Sequence, residues 1–265
     1  MKKILLAMAL AIGLVAAAHA GRSCQEADLP KTQTIERGLR LAERTYQALE
    51  ASGERVVILA RAGQDLSKYR LRYSHLGFAY QAPDGTGGHV WRVLHKLNQC
   101  GTTTASIYRQ GLGEFFLDDL WRQEAAWVVP TRDVQDKLLQ VLLDDSRATR
   151  FHHRPYSIVS YAWGRQYQQS NQWAIETLAA AMEPAATSRD TAQAWLRLKG
   201  YQPTTLVIGP VTRLGARISS ANVAFDDHPS ARRFSDQIDT VTVDSVFAWL
   251  QRAGLGSAPV VIRQP

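Results

Sequence analysis

Cysteine is scarce in this chain: Cys24 and Cys100 are the two in 265 residues. Neither is placed as a thiol nucleophile. Cys100 lies in Asn98-Gln99-Cys100-Gly101, a turn-like setting with no helix N-terminus to lower its pKa. Long apolar runs are missing after the first twenty residues, so no later segment is read as membrane-spanning. There is no basic stripe with interleaved aromatics, which argues against nucleic-acid binding. Repeats and low-complexity tracts are absent as well.

The N-terminus is the first positive signal. Met1-Lys2-Lys3 is basic, residues 4–18 are apolar and uncharged, and Ala18-His19-Ala20 is a small-x-small cleavage site before Gly21. This is the pattern of a secretory signal peptide. The h-region is short for a spanning anchor, and no lipobox precedes Cys24. The expectation is a cleaved signal at 1–20 and a periplasmic mature chain at 21–265. Removing Lys2 and Lys3 takes the formal charge from +7 to +5. In an oxidising compartment Cys24 and Cys100 are read as a disulfide.

The mature length suits one domain, with a core about 55–183 and a C-terminal extension about 184–265. Apolar spacing predicts helices over 34–51, 132–144, 171–182, 191–199 and 245–252, the last with Asp244 as N-cap. Residues 112–120 are loop or a short helix. Strands are expected over 55–61, 72–81, 89–97, 124–130, 204–208 and 239–243, and a short strand or extended entry over 156–161. Pro83 and the glycines at 85, 87 and 88 make a hairpin loop. The fold class is α+β, helices packed on a mostly antiparallel sheet.

Three residues stand out chemically. His75 lies on a predicted strand whose alternation puts Tyr73, His75, Gly77 and Ala79 on one face. Gly77 removes bulk beside the imidazole. His95, on the partner hairpin strand, could fix the His75 tautomer; Asn98 is an alternative orienter, and His89 is a solvated residue beside the turn. Ser170 opens a helix with apolar positions Ala174, Ile175, Leu178, Ala179 and Met182. Serine is a favoured N-cap, and a helix N-terminus also stabilises an oxyanion. Capping and catalysis remain equal readings of the helix alone. Asp226-Asp227-His228 before Pro229 is read as a structural turn rather than a metal site, and His152-His153 as a loop pair without ligand spacing. No cofactor and no metal are expected.

Ser74-His75-Leu76-Gly77-Phe78, Val93-Leu94-His95 and Gln169-Ser170-Asn171-Gln172-Trp173 together resemble the circularly permuted papain-like superfamily, which includes NlpC-type peptidases and lecithin:retinol acyltransferase-like proteins. The resemblance implies His75 as base, His95 as orienting residue and Ser170 in the place of the cysteine. The whole mature chain also resembles an exported bacterial family of unknown function, through Ala60-Arg61-Ala62-Gly63-Gln64-Asp65, Tyr73-Ser74-His75, Leu97-Asn98-Gln99-Cys100-Gly101, Ser170-Asn171-Gln172-Trp173 and Phe225-Asp226-Asp227-His228-Pro229. Serine differs from the thiol of a papain-like site, because its hydroxyl must lose a proton during attack. Two functions follow. One is an envelope amide or ester hydrolase or acyltransferase using Ser170 and His75. The other is a non-catalytic periplasmic binding or assembly module that has lost its nucleophile. The partner is an envelope substrate or protein.

Mass spectrometry of the exported protein should find an N-terminus at Gly21, with neither Cys24 nor Cys100 alkylated before reduction. An N-terminus at Met1, or two thiols open to alkylation, would refute this reading.

Overall fold

The computed structural model describes residues 31–118 and 120–263. In chain order the elements are α1 (Thr32–Ser52), β1 (Val56–Ala62), β2 (His75–Pro83), β3 (His89–Asn98), β4 (Ala105–Gly111), α2 (Leu112–Leu117), β5 (Arg122–Val128), α3 (Arg132–Leu142), α4 (Asp145–Thr149), α5 (Ser170–Met182), α6 (Arg189–Leu198), β6 (Thr204–Val207), α7 (Pro210–Ser219), α8 (Ser230–Arg233), β7 (Gln237–Thr240), α9 (Val243–Arg252) and β8 (Val260–Arg263). A 3₁₀ turn spans Ser67–Tyr69. The expected signal peptide and Cys24 lie outside the described residues.

Six strands form an antiparallel sheet in the order β4-β3-β2-β1-β5-β8; β6 and β7 pair separately. The α+β class is therefore as the sequence implies. The β2–β3 hairpin follows from local chemistry. Asp84 Oδ1 accepts from the backbone N–H of Thr86 at 2.8 Å and of Gly88 at 3.0 Å, while Gly85 and Gly87 take positive φ.

Strand alternation sends side chains to two helical layers. Ile58, Leu76, Phe78 and Leu94 join a cluster with Trp173 and Leu178 of α5, Leu138 of α3 and Trp249 of α9. Val57, Leu59, Ala79 and Val93 face the other way, onto Leu41 and Leu49 of α1 and Phe115 and Phe116 of α2. A third cluster gathers Leu206, Ile208, Ala216, Phe225 and Ile238 around the small sheet.

Helix α5 is buried from Ser170 through Ala179, polar residues included. Apolar burial holds such a helix by about 1.5–3 kcal/mol for each large side chain. Most of its buried polar groups are bonded, the exceptions among the described residues being Trp173 Nε1 and Thr177 Oγ1. Glu176 is fully buried and accepts from Gln168 Nε2 at 2.5 Å, Arg189 Nε at 2.8 Å and Gln193 Nε2 at 2.7 Å.

Several elements depart from the periodicity reading. β4, β8 and the short α4 and α8 carry weak sequence patterns, and neither they nor α7 are among the expected elements. The apolar stripe of α7, Val211, Leu214 and Ile218, faces solvent, whereas Arg213 is buried and donates to the Ile208 carbonyl. The segment 156–161 forms no strand and carries one turn, at 158–159. Asp244 does not cap α9. Thr242 does, accepting from Ser245 N–H at 3.1 Å, and the Asp244 carboxylate instead accepts from the Arg72 N–H at 3.1 Å.

Gly77 is required by packing. A Cβ there would lie 2.9 Å from His95 Cβ and 3.0 Å from Val93 Cγ1. Gly77→Ala should therefore destabilise by about 1–3 kcal/mol in chemical denaturation. Gly215→Ala, inside α7 with nothing within 4 Å of the added carbon, should not show this loss. Equal stability of the two variants would refute the packing argument.

Candidate functional site

His75 and His95 come together. Gly77 brings β3 close, and the two rings join His75 Nε2 to His95 Nδ1 at 2.8 Å. His95 Nε2 bonds Gln110 Oε1 of β4 at 2.8 Å. With that carboxamide oxygen as acceptor, His95 carries its proton on Nε2 and presents a lone pair at Nδ1. His75 then donates from Nε2 and keeps its own Nδ1 as a bare acceptor. His95 thus holds the His75 ring by a hydrogen bond. Asn98 is engaged elsewhere, donating to the carbonyls of Thr102 and Thr104. His89 is paired with Glu50 at 2.9 Å rather than simply solvated.

The pair lies beneath α2. Phe115 packs on both rings, with centroids at 6.0 Å and 5.2 Å. Arg61 runs along the same face, its guanidinium bonded to the Phe115 carbonyl and to Asp118 and stacked over the Phe115 ring. Burial, the Arg61 charge and His95 hold the His75 pKa well below the usual histidine value. Burial, then Arg61, lower His95 to about 3. Both imidazoles are neutral at physiological pH.

Ser170 does not join them. The histidines point to the α2 face, whereas α5 lies across the opposite face of the same sheet, with Trp173 against Phe78 at 5.9 Å. Ser170 lies by the Tyr156 phenol, whose pKa burial raises and the Ser170 hydroxyl partly lowers. No hydrogen bond from Ser170 to either histidine is present among the described residues. Ser170 is also not the helix cap. It is the first helical residue, and the cap is Gln169, whose side chain accepts from the Asn171 N–H at 2.9 Å. The convergence expected of His75, His95 and Ser170 is thus reduced to the two histidines. Strand alternation is the reason: His75 and Leu76 must face opposite layers, and α5 packs on the layer of Leu76.

The rest of that motif is structural. Asn171 Oδ1 accepts from the Leu76 N–H at 3.1 Å and pins the first turn of α5 to β2. Gln172 Nε2 donates to the carbonyls of Tyr161, Ala162 and Gly164. On this side the sequence reading missed Lys96. It is fully buried and donates to the His153 carbonyl at 2.6 Å and Gln168 Oε1 at 2.8 Å. Burial, then Arg189, lower its pKa to about 6, opposed by Glu176. A lone Lys in an alternating strand carries no signal of this.

Asp226 and Asp227 diverge. Asp227 accepts from the Tyr161 N–H at 2.8 Å and pairs with His228 Nδ1 at 3.0 Å, and Asp226 accepts from Gln166 at 2.9 Å. No group of three metal-ligating side chains occurs among the described residues. No helix among them is long and apolar enough to cross a membrane.

A separate cleft of about 480 Å³ lies where β5 meets β8, and sequence reasoning missed it too. Arg70, Arg72, Arg122 and Arg263 line it, with Glu124 at its base and Trp121 at its wall. These residues come from three distant segments, so the cluster has no local sequence signature.

The histidine pair generates a pH prediction. Its folded pKa values lie below the unfolded value of 6.5. Between the two, the unfolded chain binds more protons, so stability falls as pH drops below 6.5. Each histidine contributes at most about 1.4 kcal/mol per pH unit. Denaturation midpoints measured from pH 6.5 to 4.5 should show this slope, above the window in which Glu124, lowered to about 2, begins to protonate. His152, lowered to about 4, adds a slope of the same sign. A His75→Gln, His95→Gln double variant should therefore flatten the slope in part; an unchanged slope would refute neutral burial of the pair.

No curated protein and no solved structure is significantly similar to this chain. Residues 48–250 match the sequence profile of a family described as an uncharacterized protein conserved in bacteria (DUF2145). That span carries the His75–His95 pair, the buried first turn of α5 and most of the arginine cleft, and the chain is a member of this family.

Proposed function

We propose that this is an exported, periplasmic protein that binds rather than cleaves: a non-catalytic envelope binding or assembly module. The observation that carries the reading is the separation of Ser170 from His75 by the thickness of the sheet. A serine nucleophile needs a base within hydrogen-bond reach to take its proton. His75 has an oriented ring and a bare Nδ1, yet no hydroxyl or thiol is bonded to it among the described residues. Lys96 is closer to the α5 layer, but its amine is spent on Gln168 and the His153 carbonyl.

The permuted papain-like resemblance enters as ancestry of the scaffold. A helix packed across β2 and β3, pinned to the histidine strand through Asn171, supports that relation. The polar residues of the motif then serve as anchors for a buried helix. We further propose one mature domain over 21–265, with a signal peptide at 1–20. A Cys24–Cys100 disulfide would contribute about 2–4 kcal/mol by constraining the unfolded chain.

Purified mature protein should not turn over a p-nitrophenyl ester or an aminoacyl p-nitroanilide above the rate of its Ser170→Ala variant. Ser170→Ala should leave the α5 cap intact, because Gln169 supplies it, and should cost about 1–3 kcal/mol through the lost bond to the buried Tyr156 hydroxyl. Hydrolysis that Ser170→Ala abolishes would overturn the reading in favour of a serine-type hydrolase or acyltransferase.

A further inference from the structure

We propose that the cleft at the β5–β8 edge is a binding site for a small organic anion, one carboxylate or phosphate ester group attached to an apolar body. This rests on the binding-module reading and names the ligand class for it.

The charge is the first argument. Four guanidiniums and one carboxylate line the cleft. The carboxylate is already saturated. Glu124 Oε1 accepts from Arg72 Nε and the Tyr73 hydroxyl, both at 2.6 Å, and Oε2 accepts from Arg72 Nη2 at 2.8 Å and Arg263 Nε at 2.7 Å. Burial raises the Glu124 pKa, but these donors outweigh it, so the carboxylate stays ionised. Glu124 therefore acts as an internal clamp that orders Arg72 and Arg263. Both keep N–H groups that Glu124 does not use. Two flanking carboxylates are also committed: Asp65 accepts from Ser67, and Asp244 from the Arg72 and Tyr73 N–H groups. Positive charge remains in excess after both are counted.

The second argument is unspent donors. Arg122 Nη2 donates to the Arg72 carbonyl at 3.0 Å, but its Nε is buried and has no partner. That Nε is closed off from solvent, so the donors Arg122 offers a ligand are the guanidinium N–H groups that the Arg72 carbonyl leaves free. Arg70 pairs with no acidic side chain among the described residues. Its backbone is left-handed, at φ 58°, held by Arg70 N–H donating to the Ser67 carbonyl at 2.8 Å. That conformation is the C-cap of the 3₁₀ turn, which fixes where Arg70 leaves the backbone. Guanidinium forks match carboxylate and phosphate oxygens in pairs. Trp121 is half exposed, with Arg122 over its ring at 4.9 Å, and gives the cleft an apolar wall. Hence the ligand needs an apolar body beside its anionic group.

Isothermal titration of the full mature chain with phenyl phosphate, benzoate and, as a neutral control, benzyl alcohol tests the site. At least one anion should bind saturably at one site, more weakly as salt rises, and benzyl alcohol should not. The tighter of the two anions identifies the ligand group as phosphate ester or carboxylate. Arg70→Gln with Arg122→Gln should weaken binding at least about tenfold. Should that double variant fail to fold, Arg70→Gln alone reads the same, since Arg70 is exposed and its side chain makes no hydrogen bond among the described residues. Absence of saturable binding by both anions, or unaltered binding by the variants, would overturn the proposal. Either result leaves the Ser170 hydrolysis assay untouched, so the two readings fail independently.

Discussion

Helix α5 is enclosed on all sides, and the arrangement of the fold follows from satisfying its polar groups there. Its first turn carries Ser170, Asn171 and Gln172, and its middle carries Glu176, all buried. A buried polar group without a partner costs a few kcal/mol. Each neighbour therefore supplies a bond: β2 through the Leu76 N–H, the 161–164 turn through its carbonyls, α6 through Arg189 and Gln193. Removing one partner of the Glu176 cluster leaves an unpaired charge in the core, the costly case for a buried ion pair. This requirement explains why Gln168, Gln169, Asn171, Gln172 and the facing Gln193 of α6 are polar where Leu and Ile would serve for packing alone.

The same sheet carries a second polar system on its other face. His75, His95 and Gln110 form a chain of bonds across β2, β3 and β4, lidded by Phe115 and flanked by Arg61. The chain is oriented like the base and orienter of a catalytic site, yet it is neutral and roofed by α2. The sheet separates it from the helix terminus where a nucleophile would sit. The arginine cleft lies at the same end of the sheet as His75, since Arg122 pairs with Ala62 and His75 with Arg61.

Where the sequence was informative, the physics was local. Period-2 alternation correctly put His75, Gly77 and Ala79 on one face, but it misplaced Tyr73, which precedes β2 and joins the opposite layer with Leu76 and Phe78, and the Gly-rich turn at 83–88 correctly paired β2 with β3. Both rest on backbone geometry that neighbours along the chain decide. The hydrophobic period of α1, α3 and α9 was legible for the same reason. It failed at α7, whose apolar stripe is the exposed one, and at β8, whose pairing partner is more than a hundred residues away.

The residue types of the candidate site and the strand phase of the two histidines were determined by the sequence itself. Which layer α5 packs against was decided only by tertiary structure, because a helix with polar residues all round its first turn has no moment to orient it. That choice set Ser170 on the face away from His75. It equally assembled Glu124, Arg70, Arg122 and Arg263 from separate segments into one cleft, a juxtaposition that exists only once β5 has taken β8 as its partner.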